Sequence, residues 1–152
     1  MKLSKDLREF VALLNSRKIK FLLVGGHAVA YHGLLRFTED IDFFIETSPE
    51  NAALVAAAVN DFGFPEFKPD DFRKPETVIQ LGRAPNRIDL LTSVTAVSFE
   101  EAWKTKIETA LDGLPVWVIS KDLLVRNKLA TGRSQDLADV ERISGQKPKS
   151  QP

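Results

Sequence analysis

The sequence predicts an α/β (α+β) fold: a twisted mixed β-sheet with flanking helices and a small helical C-terminal portion. Short apolar runs of strand length alternate with stretches of helical periodicity. Serine residues stand where several helices should begin, and glycine-containing loops separate two pairs of predicted strands. With 152 residues, the chain is expected to form one domain over residues 1–143, followed by a flexible polar tail at 144–152.

Composition narrows the class of protein. The chain is 43% hydrophobic and 28% charged, as expected of a globular protein. Its 21 basic and 21 acidic residues leave no net charge, which gives no support for a large polyanionic partner. The absence of cysteine excludes disulfides and thiolate metal sites. No apolar run could span a membrane and the N-terminus lacks the apolar core of a signal peptide, so the cytoplasm is the expected compartment.

The first elements follow from periodicity and caps. Ser4 can cap a helix whose apolar residues recur at helical spacing. Residues 21–24 form a continuous apolar run, typical of a buried strand, that stops at Gly25. A short helix is expected over residues 26–31. Residues 40–46 begin with polar and apolar residues in alternation and are predicted to form the second strand.

The middle of the chain contains a helix and a hairpin. Ser48 followed by Pro49 is a strong helix start, and Gly63 ends that helix. Residues 77–81 and 87–91 are predicted strands, joined by a loop that contains glycine and proline.

The C-terminal part is expected to contain a second hairpin and two helices. A helical turn is predicted at residues 99–104, and the hairpin strands at 107–111 and 116–119. The helices should span residues 121–130 and 134–143. The apolar side of the last helix is expected to consist of Leu137, Val140 and Ile143.

Two aspartates one residue apart begin the second strand. Because strand side chains alternate between faces, Asp40 and Asp42 should project to the same side. Adjacent carboxylates repel unless a cation neutralises them, and such oxygen ligands suit Mg²⁺ or Mn²⁺. Asp89, on a later strand, could complete a two-ion site. Taken alone, the Asp40–Asp42 pattern also fits an exposed strand end with two solvated acids.

Gly25 and Gly26 close the first strand and open a helix, whose N-terminal amides could hold phosphate. Such glycines also occur where a turn needs a positive φ or close packing. The order of the features favours a triphosphate site: glycines after one strand, paired acids on the next and a third acid later.

This order resembles the nucleotidyltransferase superfamily typified by DNA polymerase beta. The family pattern is a hydrophobic residue, glycine, then glycine or serine, a spacer, an acid–hydrophobic–acid triplet and a later acid on a strand. The matching residues are Val24, Gly25, Gly26, Asp40, Ile41, Asp42 and Asp89.

A second resemblance is to small bacterial members related to the toxins of type IV abortive-infection toxin–antitoxin systems. It covers roughly residues 20–143 and rests on an N-terminal and a C-terminal signature. The matching segments are Gly25-Gly26-His27-Ala28-Val29, His32-Gly33, Arg36-Phe37-Thr38-Glu39-Asp40-Ile41-Asp42, Lys128-Leu129-Ala130, Arg133, Asp136 and Asp139-Val140.

The resemblance implies a metal-dependent transfer of a nucleoside monophosphate from a nucleoside triphosphate to a hydroxyl acceptor, with release of pyrophosphate. The acceptor would be an RNA end such as that of tRNA, a protein or a small molecule. Asp40, Asp42 and Asp89 would be the catalytic residues and the ligands of Mg²⁺ or Mn²⁺, and Asp89 would also help deprotonate the acceptor. The expected nucleotide-binding residues are Gly25, Gly26, Arg36, Thr38, Lys128, Arg133 and Asp136. Arg36 and Thr38 belong to this set because they directly precede the paired acids.

Several alternatives remain at this level. Arg36 could bind phosphate or neutralise the acids, and Thr38 could order the turn. Lys128, Arg133 and Asp136 could pair with one another across two packed helices. The histidines, two in number, are too few for a typical zinc site and could be structural.

Partners and function also stay open. An antitoxin or a second copy of the chain could supply acceptor-binding surface, and no membrane partner is expected. The chain could instead be a noncatalytic nucleotide-binding or antitoxin-type module of the same fold. A weaker alternative is a metal-dependent phosphohydrolase.

Overall fold

One mixed sheet organises the protein in the computed structural model, which describes residues 2–34 and 40–145. Its strands are β1 (Phe21–Val24), β2 (Ile41–Ile45), β3 (Val78–Leu81), β4 (Ile88–Leu91), β5 (Ile107–Leu111) and β6 (Leu114–Val118). They lie in the order β3-β4-β2-β1-β6-β5. The pairs β1–β2, β3–β4 and β5–β6 are antiparallel, whereas β2–β4 and β1–β6 are parallel. The predicted mixed sheet and both predicted hairpins are confirmed.

Serine caps fix where several helices begin. The helices are α1 (Lys5–Ser16), α2 (Gly25–Tyr31), α3 (Pro49–Phe62), α4 (Phe99–Lys104), α5 (Lys121–Thr131) and α6 (Ser134–Ser144), with a 3-10 turn at Pro69–Phe72. Each capping hydroxyl accepts a hydrogen bond from a backbone N–H three residues later, which satisfies a donor that the helix leaves unpaired. The capping residues are Ser4, Ser48, Ser98 and Ser120.

Aromatic side chains fill the core on both faces of the sheet. On the face covered by α1, the ring of Phe43 lies 5.2 Å from that of Phe21 and 6.4 Å from that of Phe10, measured between centroids. On the other face, Phe44 contacts Phe99 at 5.0 Å. Neighbouring residues on β2 therefore pack into opposite layers of the core. Asp42 lies on the same face of the sheet as Phe44.

The structure corrects several sequence-based boundaries by one or two residues, and part of one helix face. Strand β2 is one residue shorter than predicted at each end, so Asp40 precedes it, and β3 and β4 each begin one residue later than predicted. Helix α2 begins at Gly25, β6 begins at Leu114 and ends one residue before the predicted position, and α5 and α6 each extend one residue further. The expected apolar side of α6 is wrong at Leu137, which is 45% exposed, whereas Ile143 is buried as predicted. The other buried residues of α6 are Asp136 and Asp139.

The C-terminal tail predicted at 144–152 lies largely outside the described residues, which end at Gly145. Helix α6 includes Ser144, one residue beyond the predicted domain boundary. Within the described part of the chain, no helix combines the length and the apolar character needed to cross a membrane.

Candidate active site

Asp42 and Asp89 lie side by side on neighbouring parallel strands. The register of β2 and β4 places their Cα atoms opposite each other, so both side chains project from the same face. Burial raises the pKa of Asp42 to about 7, and a hydrogen bond to Asp89 together with the charges of Asp89 and Asp40 acts in the same direction. The predicted convergence of these two acids is confirmed, and in the absence of a cation the pair favours holding a proton.

Gly25 brings the backbone directly against this pair. Val24, at the end of β1, is the register partner of Asp42, and the chain turns into α2 at Gly25 with φ of +69°. A Cβ atom at Gly25 would stand 2.0 Å from Oδ2 of Asp42 and 2.8 Å from its Cγ. Both the backbone conformation and the close approach therefore require glycine at this position.

Arg87 is a site residue that the sequence analysis missed. Its Nε donates to Oδ1 of Asp89 at 2.9 Å, and its Nη2 donates to Oδ2 of Asp89 at 3.0 Å and to Oδ2 of Asp40 at 2.6 Å. Strand alternation is the signal that could have found it, since Arg87 stands two residues before Asp89. The guanidinium thus supplies positive charge to two of the three acids.

Asp40 immediately precedes β2, and its carboxylate contacts Arg87. Among residues 2–34 and 40–145, no three histidine, aspartate or glutamate side chains are grouped so as to hold one metal ion together. The Asp42–Asp89 pair nevertheless fits a hard divalent cation: it offers adjacent oxygen ligands, and Asp42 is destabilised as an anion. Each oxygen of Asp89 accepts one hydrogen bond from Arg87 and keeps a further lone pair, so an ion bound there would share Asp89 with the guanidinium. The three-acid metal site remains a prediction.

Replacing Arg87 with glutamine is expected to tighten binding of Mn²⁺. The substitution removes a positive charge that competes for Asp89 and Asp40, and we expect affinity to rise on the order of tenfold. Free Mn²⁺ can be followed by electron paramagnetic resonance during a titration without nucleotide. Arg83→Gln, on the preceding loop and exposed, is the matched control. Unchanged or weaker binding in the Arg87 variant would show that its guanidinium orients the acids instead of competing with the ion.

Helices α5 and α6 meet through a buried ion-pair network. The ammonium of Lys128 donates to Oδ2 of Asp139 at 2.9 Å and lies 3.4 Å from Oδ1 of Asp136. Oδ2 of Asp136 also accepts from Arg133 Nε and from Thr131 Oγ1, both at 2.7 Å. The hydrogen bond from Arg133 is the largest cause that lowers the pKa of Asp136 below its usual range. The predicted nucleotide-binding residues of these helices are thus bound to one another.

Arg133 and Lys128 differ in their access to solvent. The side chain of Lys128 is 10% exposed, whereas that of Arg133 is 78% exposed. A cation near the protein surface can reorient toward a ligand at little cost, but a buried one that leaves two aspartates unpaired cannot. Arg133 is therefore the better placed of the two to contact a phosphate.

Two adjoining cavities surround the acid pair. We call the smaller, of about 290 Å³, the glycine chamber, and its walls include Gly25, Gly26, Asp42, Lys128, Arg133 and Asp136. We call the larger, of about 370 Å³, the carboxylate chamber, and its walls include Gly25, Asp42, Asp89, Leu91, Val94 and Arg133. The chambers share Gly25, Asp42 and Arg133, so Asp42 lies at the boundary between them, while Asp89 lines the larger chamber alone.

Two predicted nucleotide-binding residues, Arg36 and Thr38, fall outside the described residues. The two histidines have structural surroundings. His32 is buried, and its Nε2 lies 2.7 Å from the carbonyl oxygen of Ile119, which ties α2 to the end of β6. His27 is buried as well, and burial lowers the pKa of both imidazoles. Neither histidine lines either chamber.

Comparison with solved structures identifies the same fold in three proteins. TM1012 from Thermotoga maritima, described as a candidate nucleotidyltransferase, has a TM-score of 0.61 at 18% identity, with 90% of this chain and 88% of that chain covered. The lincosamide antibiotic adenylyltransferase LnuA, solved with lincomycin bound, has a TM-score of 0.56 at 16% identity, with 94% and 97% covered. An antigenic nucleotidyltransferase-like protein from Paracoccidioides brasiliensis has a TM-score of 0.56 at 14% identity, with 92% and 76% covered.

Sequence comparison assigns the family. No curated protein is significantly similar to the chain. A protein-family model, however, matches residues 1–144, which is nearly the whole sequence. At the identities given above, the solved structures establish the fold, and the family model supplies the membership. The chain belongs to the family described as nucleotidyltransferase of unknown function (DUF6036).

Proposed function

We propose that the protein transfers a nucleoside monophosphate from a nucleoside triphosphate to a hydroxyl acceptor and releases pyrophosphate. The observation that carries the proposal is the placement of Asp42 and Asp89 in register, with Gly25 packed against Asp42. Family membership supports a nucleotide substrate and a transferase. Because LnuA is an adenylyltransferase, ATP is the first triphosphate to test.

The two chambers suggest how the substrates are held. In the proposal, Gly25 and Gly26 let the backbone approach the triphosphate, and Arg133 contacts its phosphates. Asp40, Asp42 and Asp89 would hold Mg²⁺ or Mn²⁺, which would neutralise charge on the phosphates when bound. Arg36 and Thr38, expected to join this site, remain predictions.

Asp89 would act on the acceptor. It lines the carboxylate chamber but not the glycine chamber, so a hydroxyl that enters the former meets Asp89. The acceptor oxygen forms a bond to the α-phosphorus while the bond from that phosphorus to the β-bridging oxygen breaks. Pyrophosphate leaves with the bridging oxygen, and the hydroxyl proton passes to the carboxylate of Asp89 or to water. Positioning of the two substrates supplies much of the expected rate enhancement.

Replacing Asp89 with asparagine is expected to abolish magnesium-dependent transfer of label from α-labelled triphosphate, because the variant loses a metal ligand and the proton acceptor. Both oxygens of Asp89 accept from Arg87 and asparagine keeps only one acceptor, so the unfolding midpoint should fall and the assay is run well below it. Asp70→Asn, at an exposed aspartate of the 3-10 turn, should retain full transfer. A folded Asp89 variant that labels acceptors at the normal rate would refute the catalytic assignment.

The same assay separates the alternatives. A noncatalytic nucleotide-binding or antitoxin-type module would bind triphosphate, with no labelled product in the unmodified protein. A phosphohydrolase would release labelled nucleotide without any acceptor.

The toxin role, an antitoxin partner and the cytoplasmic location also belong to the proposal. Growth arrest on expression, relieved by the product of a neighbouring reading frame, would support the toxin role.

A further inference from the structure

The carboxylate chamber continues into an open groove. Four of its wall residues also line a second cavity of about 440 Å³ beside the edge strand β3. These shared residues are Val78, Ser93, Val94 and Thr95. A path therefore leads from the acid pair to solvent through this groove. The path does not pass Gly26 or Lys128, which line only the glycine chamber. A second substrate can reach Asp89 while a triphosphate fills the glycine chamber.

The lining of this path is largely uncharged. Apart from Asp42, Asp89 and Arg133, the described residues of the carboxylate chamber are glycine, aliphatic side chains, serine, threonine and asparagine. Among residues 2–34 and 40–145, the charged residue that lines the outer groove is Glu76. These described walls contain no aromatic ring on which a base could stack and no row of cations for a phosphate backbone. RNA recognition relies on both features, so the described walls favour a small acceptor over an RNA end.

The depth of Asp89 disfavours short acceptors on a folded surface. Its residue exposure is 7%, so an acceptor hydroxyl has to enter the chamber to reach its carboxylate. The hydroxyl of a serine or threonine lies one bond beyond Cβ, which gives it little reach into a chamber from another protein's folded surface. A volume of about 370 Å³ falls within the range of small-molecule sites, roughly 300–1,000 Å³.

We propose that the acceptor is a small, uncharged hydroxyl compound with an apolar part, bound in the carboxylate chamber. Its hydroxyl lies at Asp89, and its apolar part lies against Leu91 and Val94. Ser93 and Thr95, both exposed at the mouth of the chamber, act as specificity residues for this compound. The inference rests on the proposed function and names the substrate class of the same site.

Three fractions of one cell extract test the substrate class. Small molecules below about 3 kDa, purified RNA and dialysed protein are each incubated with the protein, Mg²⁺ and α-labelled triphosphates. Label is expected in the small-molecule fraction, on a compound that is neutral before labelling. Label in RNA or in protein alone overturns the inference while leaving transfer intact. Label in no fraction refutes the proposed function, and this inference with it.

Two variants test whether the acceptor binds in the carboxylate chamber. Ser93→Trp and Thr95→Trp should fill the chamber mouth and raise the KM for the purified acceptor about tenfold or more, by blocking apolar contact. The dissociation constant of a nonhydrolysable α,β-methylene triphosphate should change less than about twofold, since neither residue lines the glycine chamber. Leu137→Trp, at an exposed position of α6, is the control and should alter neither constant. If both variants fold and the KM for the acceptor is unchanged, the acceptor does not bind in the carboxylate chamber.

Discussion

Replacing Gly25 with alanine is expected to reduce nucleotidyl transfer about a hundredfold or more, since displacement of reacting groups by about 1 Å can cost this much. The new Cβ would lie 2.0 Å from Oδ2, 2.8 Å from Cγ and 3.0 Å from Cβ of Asp42. Because the conflict reaches Cβ of Asp42, rotation of the carboxylate alone does not relieve it. Either β2 or the start of α2 must move, and the acid pair moves with it. Initial rates with α-labelled triphosphate measure the loss.

Gly113→Ala separates the steric conflict from backbone strain. Gly113, in the β5–β6 turn, has φ of +78°, close to the +69° of Gly25, but no atom lies within 4 Å of its ideal Cβ position. Both variants incur the cost of a side chain in the left-handed region, roughly 1–2 kcal/mol. Only the Gly25 variant should also lose activity and unfold at a lower denaturant concentration than the control. Equal behaviour of the two variants would contradict a special role for the Gly25–Asp42 contact.

Replacing Lys128 with methionine is expected to destabilise the fold by roughly 3–5 kcal/mol, the range observed when one partner of a buried ion pair is removed. Methionine preserves the apolar stem, but Asp139 and Asp136 lose the ammonium that contacts both of them. Their side chains are only 3% and 6% exposed, so water does not readily replace it. Equilibrium denaturation in urea at neutral pH gives the difference in unfolding free energy.

Arg126→Met supplies a matched surface comparison on the same helix. Arg126 pairs with Glu101, and both side chains remain at least 40% exposed, so its removal should cost about 1 kcal/mol or less. The Lys128 effect should also depend on pH. The folded-state pKa of Asp136 is held below its usual range, so its ion pairs add stability above about pH 4 that is lost as the pH falls. If Lys128→Met costs no more than the surface variant, the buried network does not depend on its ammonium.

The parts of the fold that sequence predicts well are those with local causes. Ser48 and Pro49 define a helix start by their own chemistry, and the apolar run that ends at Gly25 defines a strand. The face of Asp42 likewise follows from strand alternation, although Asp40 lies just before β2. The pairing of Asp42 with Asp89 needed a family pattern, since no local rule states which strands become neighbours.

The parts that sequence analysis missed depend on tertiary pairing. Leu137 fits an apolar helix face by period, yet α6 buries Asp136 and Asp139 because Lys128 of α5 neutralises them. The role of Arg87 likewise depends on tertiary structure, because its guanidinium can contact Asp40 only when β4 lies beside β2. The burial of a charged residue is the hardest to predict from sequence, because the free-energy cost of burying the charge depends on a partner from elsewhere in the chain.

The parallel pairing of β2 with β4 has a consequence for insertions in the chain between them. The spacing of the two carboxylates is fixed by interstrand hydrogen bonds, while the intervening stretch passes from β2 to β4 through α3, the 3-10 turn and β3. Lengthening a surface connection carries only a slowly growing entropic penalty. Lengthening an exposed part of this connection is therefore expected to leave the spacing of the two carboxylates unchanged.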